Sequence, residues 1–312
     1  MKSIIKQSIY LKIKQIIMAK ELSNTISTFT SQIGSYEKNV FPSLLEHHGI
    51  SPAQFAQVVL SEVKKNEKLL KAFEENPSSM FASILAGAEI GLIPSYMIGE
   101  FYLIPRNIRQ TDGKYKLTVT PLIGYKGLVN ILLRSGEITR IHAEVVYSGD
   151  VFEPSYGLEP NIVHKPNFDV LRTADKITHA YAVAKNKNGE HQFMVLTRRD
   201  IELVMNMAKE RNALYFNDEK SPNRWMEKKA ALIQLSKVLP KDYYSKKAIG
   251  MDGMVDAGAY LTLGDNNEVK IIEGTPVIPT RYRNIYGTLN AKKPEIPKVQ
   301  EIHEVQDNPK TM

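Results

Sequence analysis

The sequence contains no cysteine among its 312 residues. Disulfides, thiolate zinc sites, iron–sulfur clusters and a cysteine nucleophile are therefore excluded, and the composition fits a reducing cytosol. No apolar run approaches the roughly 18 residues that span a membrane. Hydrophobic residues make up 43% of the chain and charged residues 24%, which is typical of a folded protein with its own core.

Motifs for common catalytic chemistry are also missing. A phosphate-binding loop requires G-x-x-x-x-G-K-[ST], but the only Gly-Lys pair is Gly113-Lys114, and Ile108 stands where the first glycine belongs. There is no dinucleotide fingerprint, no G-x-S-x-G element and no zinc spacing among the seven histidines. His179 and His191 fall on neighbouring predicted strands, where they can meet in space. Two hydrogen-bonded strand histidines are a simpler interpretation of this pair than a metal site. We therefore predict a binding protein, not an enzyme, with no cofactor and no metal.

The charge is distributed unevenly along the chain, which has a net charge of +7. Five lysines and no acid occupy residues 1–20, and residues 195–250 carry twelve basic and seven acidic side chains. We predict a dispensable basic extension over residues 1–20, a core over residues 21–250, and a flexible tail over residues 251–312 with a possible partner-docking segment. A polyanionic partner requires the local positive charge to gather on one surface.

The middle of the chain changes from helical to strand periodicity. Residues 36–75 predict helices, and Asn76-Pro77 begins another that ends at Gly91. Residues 100–105 and 115–120 predict a hairpin around Asp112-Gly113. A helix over residues 124–134 precedes three strands and two closing helices, which are expected at residues 138–147, 178–185, 192–196, 198–209 and 222–238. This order predicts an α+β fold with a small antiparallel sheet, a hairpin, and helices packed on one face.

Three clusters combine basic groups with aromatic rings. Tyr125 and Lys126 stand at a glycine-flanked helix start, where a phosphate can bind and a base can stack; the alternative is a plain helix start with a half-buried tyrosine. The second cluster lies on a late helix with the only tryptophan, and its lysines fall inside an apolar arc, where they must snorkel or meet an anion. The third surrounds the hairpin tip, which can equally be a solvated turn. The basic members of the last two clusters are Arg224, Lys228, Lys229, Arg106, Arg109, Lys114 and Lys116.

The order of these segments resembles the RecT family of phage-type single-strand annealing proteins. The resemblance runs from about Asn76 to Asp242. It rests on several motifs in register, namely Ser83–Pro94, Gly124–Leu128 with Arg134–Gly136, Val145–Asp150, Ile177–Ala184, Phe193–Arg198, Trp225–Lys229 and Leu239-Pro240.

The resemblance implies an ATP-independent protein that coats single-stranded DNA and anneals it to a complementary strand. It also implies a homo-oligomeric ring or helical filament, a partner exonuclease, contact with the host single-strand binding protein, and a place in the bacterial cytoplasm. The DNA-binding candidates are Tyr125, Lys126, Arg134, Arg224, Lys228, Lys229, Arg106, Arg109, Lys116 and Arg198. Two other classes stay open, a metal-dependent nuclease on the same substrate and an RNA-coating structural filament protein.

Overall fold

A computed structural model describes residues 2–207, 215–256, 258–264, 266 and 268–272, with the backbone alone for residues 2–19. The chain divides into two units, residues 1–275 and 276–312, and the second unit lies outside the described residues. The described part is α+β, as the sequence predicts, with several small antiparallel sheets. None of its helices has a stretch long and apolar enough to cross a bilayer.

The first half of the fold is helical. Its helices are α1 (Lys2–Asn39), α2 (Phe41–Leu45), α3 (Pro52–Lys64), α4 (Glu67–Glu75) and α5 (Pro77–Glu89), with a short 3-10 turn at Glu46–His48. Two of these helices, α3 and α5, begin with the N-terminal caps that the sequence predicts. Ser51 accepts a hydrogen bond from the backbone of Gln54, and Asn76 accepts one from Ser79, each in front of a first-turn proline. Gly91, at a φ of +65°, ends α5 as predicted.

The basic N-terminal residues continue directly into a core helix. The sequence predicts the helices of the core from residue 36, whereas the helix that enters the core, α1, already begins at Lys2. Further along the same helix, Phe29 and Ile33 are fully buried in the core. The backbone of residues 2–20 is therefore not a separate segment, and whether the extension is dispensable stays a prediction.

A long hairpin packs on α4 and α5. Strands β1 (Phe101–Arg109) and β2 (Tyr115–Ile123) pair antiparallel around the predicted Asp-Gly turn. The outer edge of β2 would otherwise leave backbone groups unpaired, which is costly in a buried position. Helix side chains satisfy several of these groups: Ser79 accepts from Val119 N, and Ser83 donates to Val119 O.

The three-stranded sheet is the second layer. After α6 (Tyr125–Arg134), strands β3 (Ile138–Tyr147), β6 (Ile177–Asn186) and β7 (His191–Thr197) pair antiparallel in the order β3-β6-β7. Helices α7 (Arg198–Met207) and α8 (Trp225–Ser236) pack against it, as predicted. The predicted extension of the first of these helices to residue 209 lies outside the described residues.

A hairpin that the sequence analysis missed covers part of the other face of this sheet. It consists of β4 (Val151–Ser155) and β5 (Asn161–Lys165). The Phe152 ring lies 5.2 Å from that of His179 and 5.5 Å from that of Tyr181, centroid to centroid. The strands are short and mostly exposed, so neither carries the alternation that marks a half-buried strand.

The folded core continues past the predicted boundary at residue 250. Helix α9 (Tyr243–Asp256) is followed by a hairpin of β8 (Tyr260–Leu263) and β9 (Val269–Ile272). Leu261 is 1% exposed, and the backbone N–H of Leu263 donates to Ser78 on α5 at 2.8 Å. The predicted start of the flexible tail is therefore wrong for residues 251–272, because short apolar stretches there dock on α5. Residues 273–312 lie outside the described part.

Candidate nucleic-acid interface

The start of α6 is built by close backbone contact. A Cβ atom on Gly124 would lie 2.3 Å from the carbonyl oxygen of Gly99, and one on Gly127 would lie 2.2 Å from that of Glu100. Only glycine permits this approach. The sequence analysis expected these glycines to admit a phosphate, whereas in the structure they admit the chain's own backbone and thereby fix Tyr125 and Lys126 beside β1.

A groove of about 550 Å³ opens at this junction. The loop before β1, the start of α6 and the start of α8 form its walls. The residues that line it are Tyr96, Met97, Gly99, Tyr102, Ile104, Leu122, Ile123, Gly124, Tyr125, Lys126, Lys220, Ser221, Asn223, Trp225, Met226 and Lys229. This set combines aromatic rings with three lysines and contains no Asp or Glu from the described part of the chain.

Aromatic rings are exposed on opposite walls of the groove. Tyr96 is 79% exposed and packs edge-on against Tyr102, with the centroids 5.3 Å apart. Trp225 is 41% exposed and lies 5.2 Å from Tyr125. Tyr125 is fixed by a hydrogen bond that its hydroxyl oxygen accepts from Ala143 N, and burial raises the pKa of its phenol, so it stays neutral. Such rings can stack on unpaired bases of any sequence.

Lys126 and Lys220 are the available cations of the groove. Both are exposed, and neither side chain has an ion-pair or hydrogen-bond partner among the described residues. Lys126 has its Nζ over Gly99, at the mouth of the groove. An ammonium group with no internal partner is free to neutralise a phosphate.

Lys228 borders the groove, and Lys229 lies at its floor. The Nζ atom of Lys228 lies 5.7 Å from the centre of the Trp225 ring and 2.8 Å from a carboxylate oxygen of Glu144, which is itself half exposed. Lys229 is 3% exposed, bonds to the carbonyl of Ile123 and pairs with Asp252. Of the two alternatives expected for lysines in an apolar arc, Lys229 therefore meets an anion, and that anion belongs to the protein.

Three of the predicted arginines are used inside the fold. Arg134 donates to the carbonyl oxygens of Ile90 and Gly91, where it caps the end of α5. Arg198 donates to three carbonyl groups in residues 174–177 and pairs with Glu202 at 3.0 Å. These contacts join separate elements of the fold.

Arg224 is the third and is almost completely buried. It bonds to Asp218, Tyr147 and two backbone carbonyls, and it has a left-handed backbone with a φ of +57°. Its internal contacts fix the entry of the chain into α8, where Trp225 follows. Arg224 thus supports the groove wall that carries Trp225, whereas Arg134 and Arg198 join other elements of the fold.

The hairpin residues form a separate group along β1 and β2. Arg106 shares a strand face with Tyr102 and Ile104 of the groove because alternate residues point the same way. Lys116 pairs with Ile108, two residues further along that face. Arg109 lies at the tip, where its Nε donates to Gly113 O at 3.3 Å. The predicted residues are therefore brought together only in part, at Tyr125, Lys126 and Lys228, with Arg106 and Lys116 extending along the hairpin.

The sequence analysis missed Tyr96, Met97, Lys220 and Asn223 as groove residues. A signal for the first two was present, because Tyr96-Met97-Ile98 is an apolar triplet in a short loop between Pro94 and Gly99. Apolar residues in such a loop are often exposed for contact with a partner. No local pattern marks Lys220 or Asn223, which reach the groove only through the turn held by Arg224.

Comparison with known proteins agrees with this geometry. Residues 53–262, more than half of the chain, match the model of the RecT family. The chain is 35% identical to Protein RecT of Escherichia coli (strain K12) over 179 residues, which are 56% of this chain and 62% of that protein. The matched region contains α6, α8 and the groove between them. The chain therefore belongs to the RecT family.

Proposed function

We propose that this protein binds single-stranded DNA in the groove and anneals it to a complementary strand in homologous recombination. The observation that carries the proposal is the lining of the groove, where aromatic rings stand together with two lysines that have no partner among the described residues, and where no described carboxylate is found. Lys126 and Lys220 neutralise phosphates and release counterions, and Trp225 and Tyr96 stack on bases. Contacts of this kind do not depend on sequence.

Annealing follows from such contacts without nucleotide hydrolysis. Neutralising the phosphates of one strand reduces its repulsion of a second. The free energy then comes from pairing and stacking, at about 1.4 kcal/mol per base-pair step. Many weak contacts per subunit must be multiplied along a strand, so we propose that the protein acts as a homo-oligomeric ring or filament and not as an enzyme. The proposed place of action is the bacterial cytoplasm.

An annealing assay tests this proposal. Two complementary dye-labelled oligonucleotides are mixed without ATP while the protein is titrated, and pairing is followed by energy transfer. We expect acceleration by the wild type, a clear loss in Lys126→Ala/Trp225→Ala, and no loss in Lys38→Ala/Lys64→Ala, whose lysines are exposed on α1 and α3. Failure of the wild type to accelerate pairing would contradict the proposal.

The same protein samples also test the two alternative functions, a nuclease and an RNA-coating protein. Shortening of a labelled strand in Mg²⁺ would instead identify a nuclease, and preferred capture of RNA in a competition assay would identify an RNA-coating protein. The residues with described positions contain no group of three His, Asp or Glu placed to hold a metal ion. A partner exonuclease and the host single-strand binding protein are proposed to dock on residues 273–312, which lie outside the described residues.

A further inference from the structure

Three basic side chains face one another across the second sheet. Arg140 on β3 pairs with Lys185 on β6, and Lys185 pairs with His191 on β7. Residues directly opposite each other point to the same face, with Cβ atoms about 5 Å apart. We call this row of Arg140, Lys185 and His191 the cationic ladder.

The cationic ladder is not neutralised by neighbouring acids. In the described part of the chain, none of its three side chains has a hydrogen-bond or ion-pair partner. Two acids at the ends of these strands have other partners, Glu137 with Lys187 at 2.7 Å and Glu190 with the Asn186 amide at 2.7 Å. Arg140 and Lys185 are like charges placed directly opposite each other, which destabilises a sheet, so this arrangement favours binding of an anion.

His142 lies beside the ladder. It lies two residues from Arg140 on the same strand face, and its Nδ1 atom is buried without a hydrogen-bond partner in the described structure. Burial lowers the pKa of His142, and the nearby charges of Arg140 and Lys228 lower it further. The ring is therefore neutral at pH 7 and adds no charge to the ladder.

The size of the ladder fits a nucleic-acid backbone. Strands lie about 4.8 Å apart, so its three side chains span about 10 Å. Successive phosphates of one strand lie farther apart than the axial rise of about 3.4 Å, so this span covers about two of them. The arginine adds a planar fork suited to two phosphate oxygens.

The ladder is separate from the groove. The Lys228–Glu144 ion pair lies between them and carries no net charge. Four residues of strand separate Glu144 from Arg140, which is about 14 Å at 3.4 Å per residue. A protein that anneals two polyanions needs cationic contacts for both, and this chain presents two distinct ones.

We infer that the cationic ladder binds the phosphate backbone of the second, incoming strand while the groove holds the first. The assignment to a second strand rests on the proposed function. The ladder gives the incoming strand a weak electrostatic contact next to the exposed bases of the first. Its contribution is to the rate of encounter and not to retention of the first strand.

Lysine footprinting on the wild-type protein tests the inference. Brief acetylation followed by mass spectrometry reads the reactivity of Lys126 in the groove, Lys185 in the ladder and Lys64 as an exposed control. With the first strand alone, we expect Lys126 to react about fivefold more slowly and Lys185 to be unchanged, because only the groove is occupied. After the complementary strand is added, we expect Lys185 to slow by about fivefold as well.

Each contrary outcome has its own meaning. Protection of Lys126 without any protection of Lys185 overturns the inference and leaves the proposed function standing. Protection of Lys185 by the first strand alone overturns its assignment to the second. Protection of Lys185 on addition of the second strand, without protection of Lys126, supports the ladder and contradicts the groove. Protection of neither lysine contradicts both proposals.

Charge reversal separates strand binding from packing between subunits. Arg140→Glu/Lys185→Glu is compared with Lys38→Glu/Lys64→Glu, which changes the net charge equally. We expect the ladder variant to anneal about tenfold more slowly than the control while its affinity for the first strand stays within about twofold. Circular dichroism confirms that both variants are folded. If the ladder variant anneals at the control rate, any protection of Lys185 comes from subunit packing and the inference is wrong.

Discussion

Lys229 and Asp252 form a buried ion pair, 3.1 Å long, that closes the outer edge of the first hairpin. Lys229 donates to the carbonyl oxygen of Ile123, and Asp252 accepts from the N–H of the same residue. The two side chains thus take the place of a neighbouring strand at the end of β2. Through this pair α8 and α9 are fixed to the floor of the groove.

Substitution of Lys229 is expected to lower the stability of the fold, and its effect on stability is expected to exceed any effect from the loss of a direct contact with DNA. Lys229→Ala leaves the Asp252 carboxylate buried without its cation and Ile123 O without its donor, at a cost of about 3–5 kcal/mol. For a chain of 312 residues, this corresponds to a fall in Tm of roughly 5–8 °C. Urea unfolding and calorimetry measure the change.

The adjacent lysine supplies the control. Lys228 pairs with a half-exposed carboxylate, so Lys228→Ala is expected to cost less than about 1 kcal/mol. Equal destabilisation by the two substitutions would show that the Lys229 pair does not support the fold. A stable Lys229→Ala variant with reduced DNA affinity would instead indicate that Lys229 contacts DNA.

Much of this fold could be predicted from local chemistry. The caps at Ser51 and Asn76 and the Asp-Gly turn are encoded within a few residues, and the structure confirms them. The arc of apolar residues around Lys229 indicated that this lysine must either snorkel or meet an anion, and in the structure it meets an anion. That anion is Asp252, which lies 23 residues later and has no local signal linking it to Lys229.

The missed parts depend on contacts between distant residues. The hairpin β4–β5 has little apolar alternation and is fixed by Asp150, which bonds to residues in three segments. The use of Arg224 inside the fold depends likewise on Tyr147, 77 residues earlier. A sequence pattern identifies these side chains as basic, whereas only the fold decides whether each faces DNA or the interior.

Gly127 is predicted to be intolerant of even one added methyl group. A Cβ atom there would lie only 2.2 Å from the backbone carbonyl oxygen of Glu100, so the start of α6 must move away from β1. We expect Gly127→Ala to lower the free energy of unfolding by about 1–3 kcal/mol, as overpacking does. Because Tyr125 and Lys126 move with the helix, DNA affinity is expected to fall as well.

A matched glycine tests whether this effect is local. Gly250 lies in α9, and a Cβ atom there meets nothing within 4 Å. Gly250→Ala is therefore expected to be neutral or stabilising by up to about 1 kcal/mol. Chemical denaturation of the two variants side by side gives the comparison. Tolerance of alanine at Gly127 would contradict the backbone contact described for the groove.

Lys126 and Trp225 are expected to contribute to DNA binding in different ways. Lys126→Ala removes one phosphate contact, so the slope of log K against log salt for single strands should fall by about 0.7. Trp225→Ala removes a stacking surface and should cost about 1–3 kcal/mol with the slope unchanged. Fluorescence anisotropy with two unrelated oligonucleotides over a series of salt concentrations separates the two effects. A loss confined to one sequence would indicate base readout and contradict the model of backbone binding.

Asp150 is predicted to fasten the β4–β5 hairpin to the sheet. Its fully buried carboxylate accepts from the backbone of Tyr147 and Asn167, and from the side chains of His164 and Arg172. Burial acts to raise the pKa of Asp150, but these hydrogen bonds outweigh it and hold the pKa well below its ordinary value. Asp150→Asn is expected to cost about 3 kcal/mol, because the partly buried Arg172 guanidinium loses its partner and the amide cannot accept all of the hydrogen bonds of the buried carboxylate.

The pH dependence of this anchor follows from the direction of the shift. A carboxyl group with a lowered pKa stabilises the fold fully above its unfolded value, near 3.9, and that stability is lost as the pH falls further. Hydrogen exchange over residues 151–173 should therefore accelerate in the asparagine variant at neutral pH and in the wild type only below about pH 4. Unchanged protection of this segment in Asp150→Asn would contradict the proposed anchor.

Glu227 presents the opposite case, an acid whose ionised form the fold disfavours. It is fully buried in the first turn of α8; one oxygen accepts from the backbone of Phe216, and the other has no hydrogen-bond partner in the described structure. Burial raises the pKa of Glu227 above its ordinary value of 4.5. The native state therefore holds its proton more tightly than the unfolded state, and stability falls as the pH rises above that value.

Glu227→Gln is expected to remove this dependence. Glutamine keeps an acceptor for Phe216 N and carries no charge to bury, so the variant should be at least as stable as the wild type at pH 8. The difference in Tm should shrink as the pH is lowered towards 4.5, where the wild-type side chain is protonated in the fold. Calorimetry from pH 4.5 to 8 measures it, and Glu153→Gln on the exposed strand β4 is the control. A difference in Tm that stays constant across this range would mean that Glu227 is not held as a buried acid, and that the turn before Trp225 is stabilised in another way.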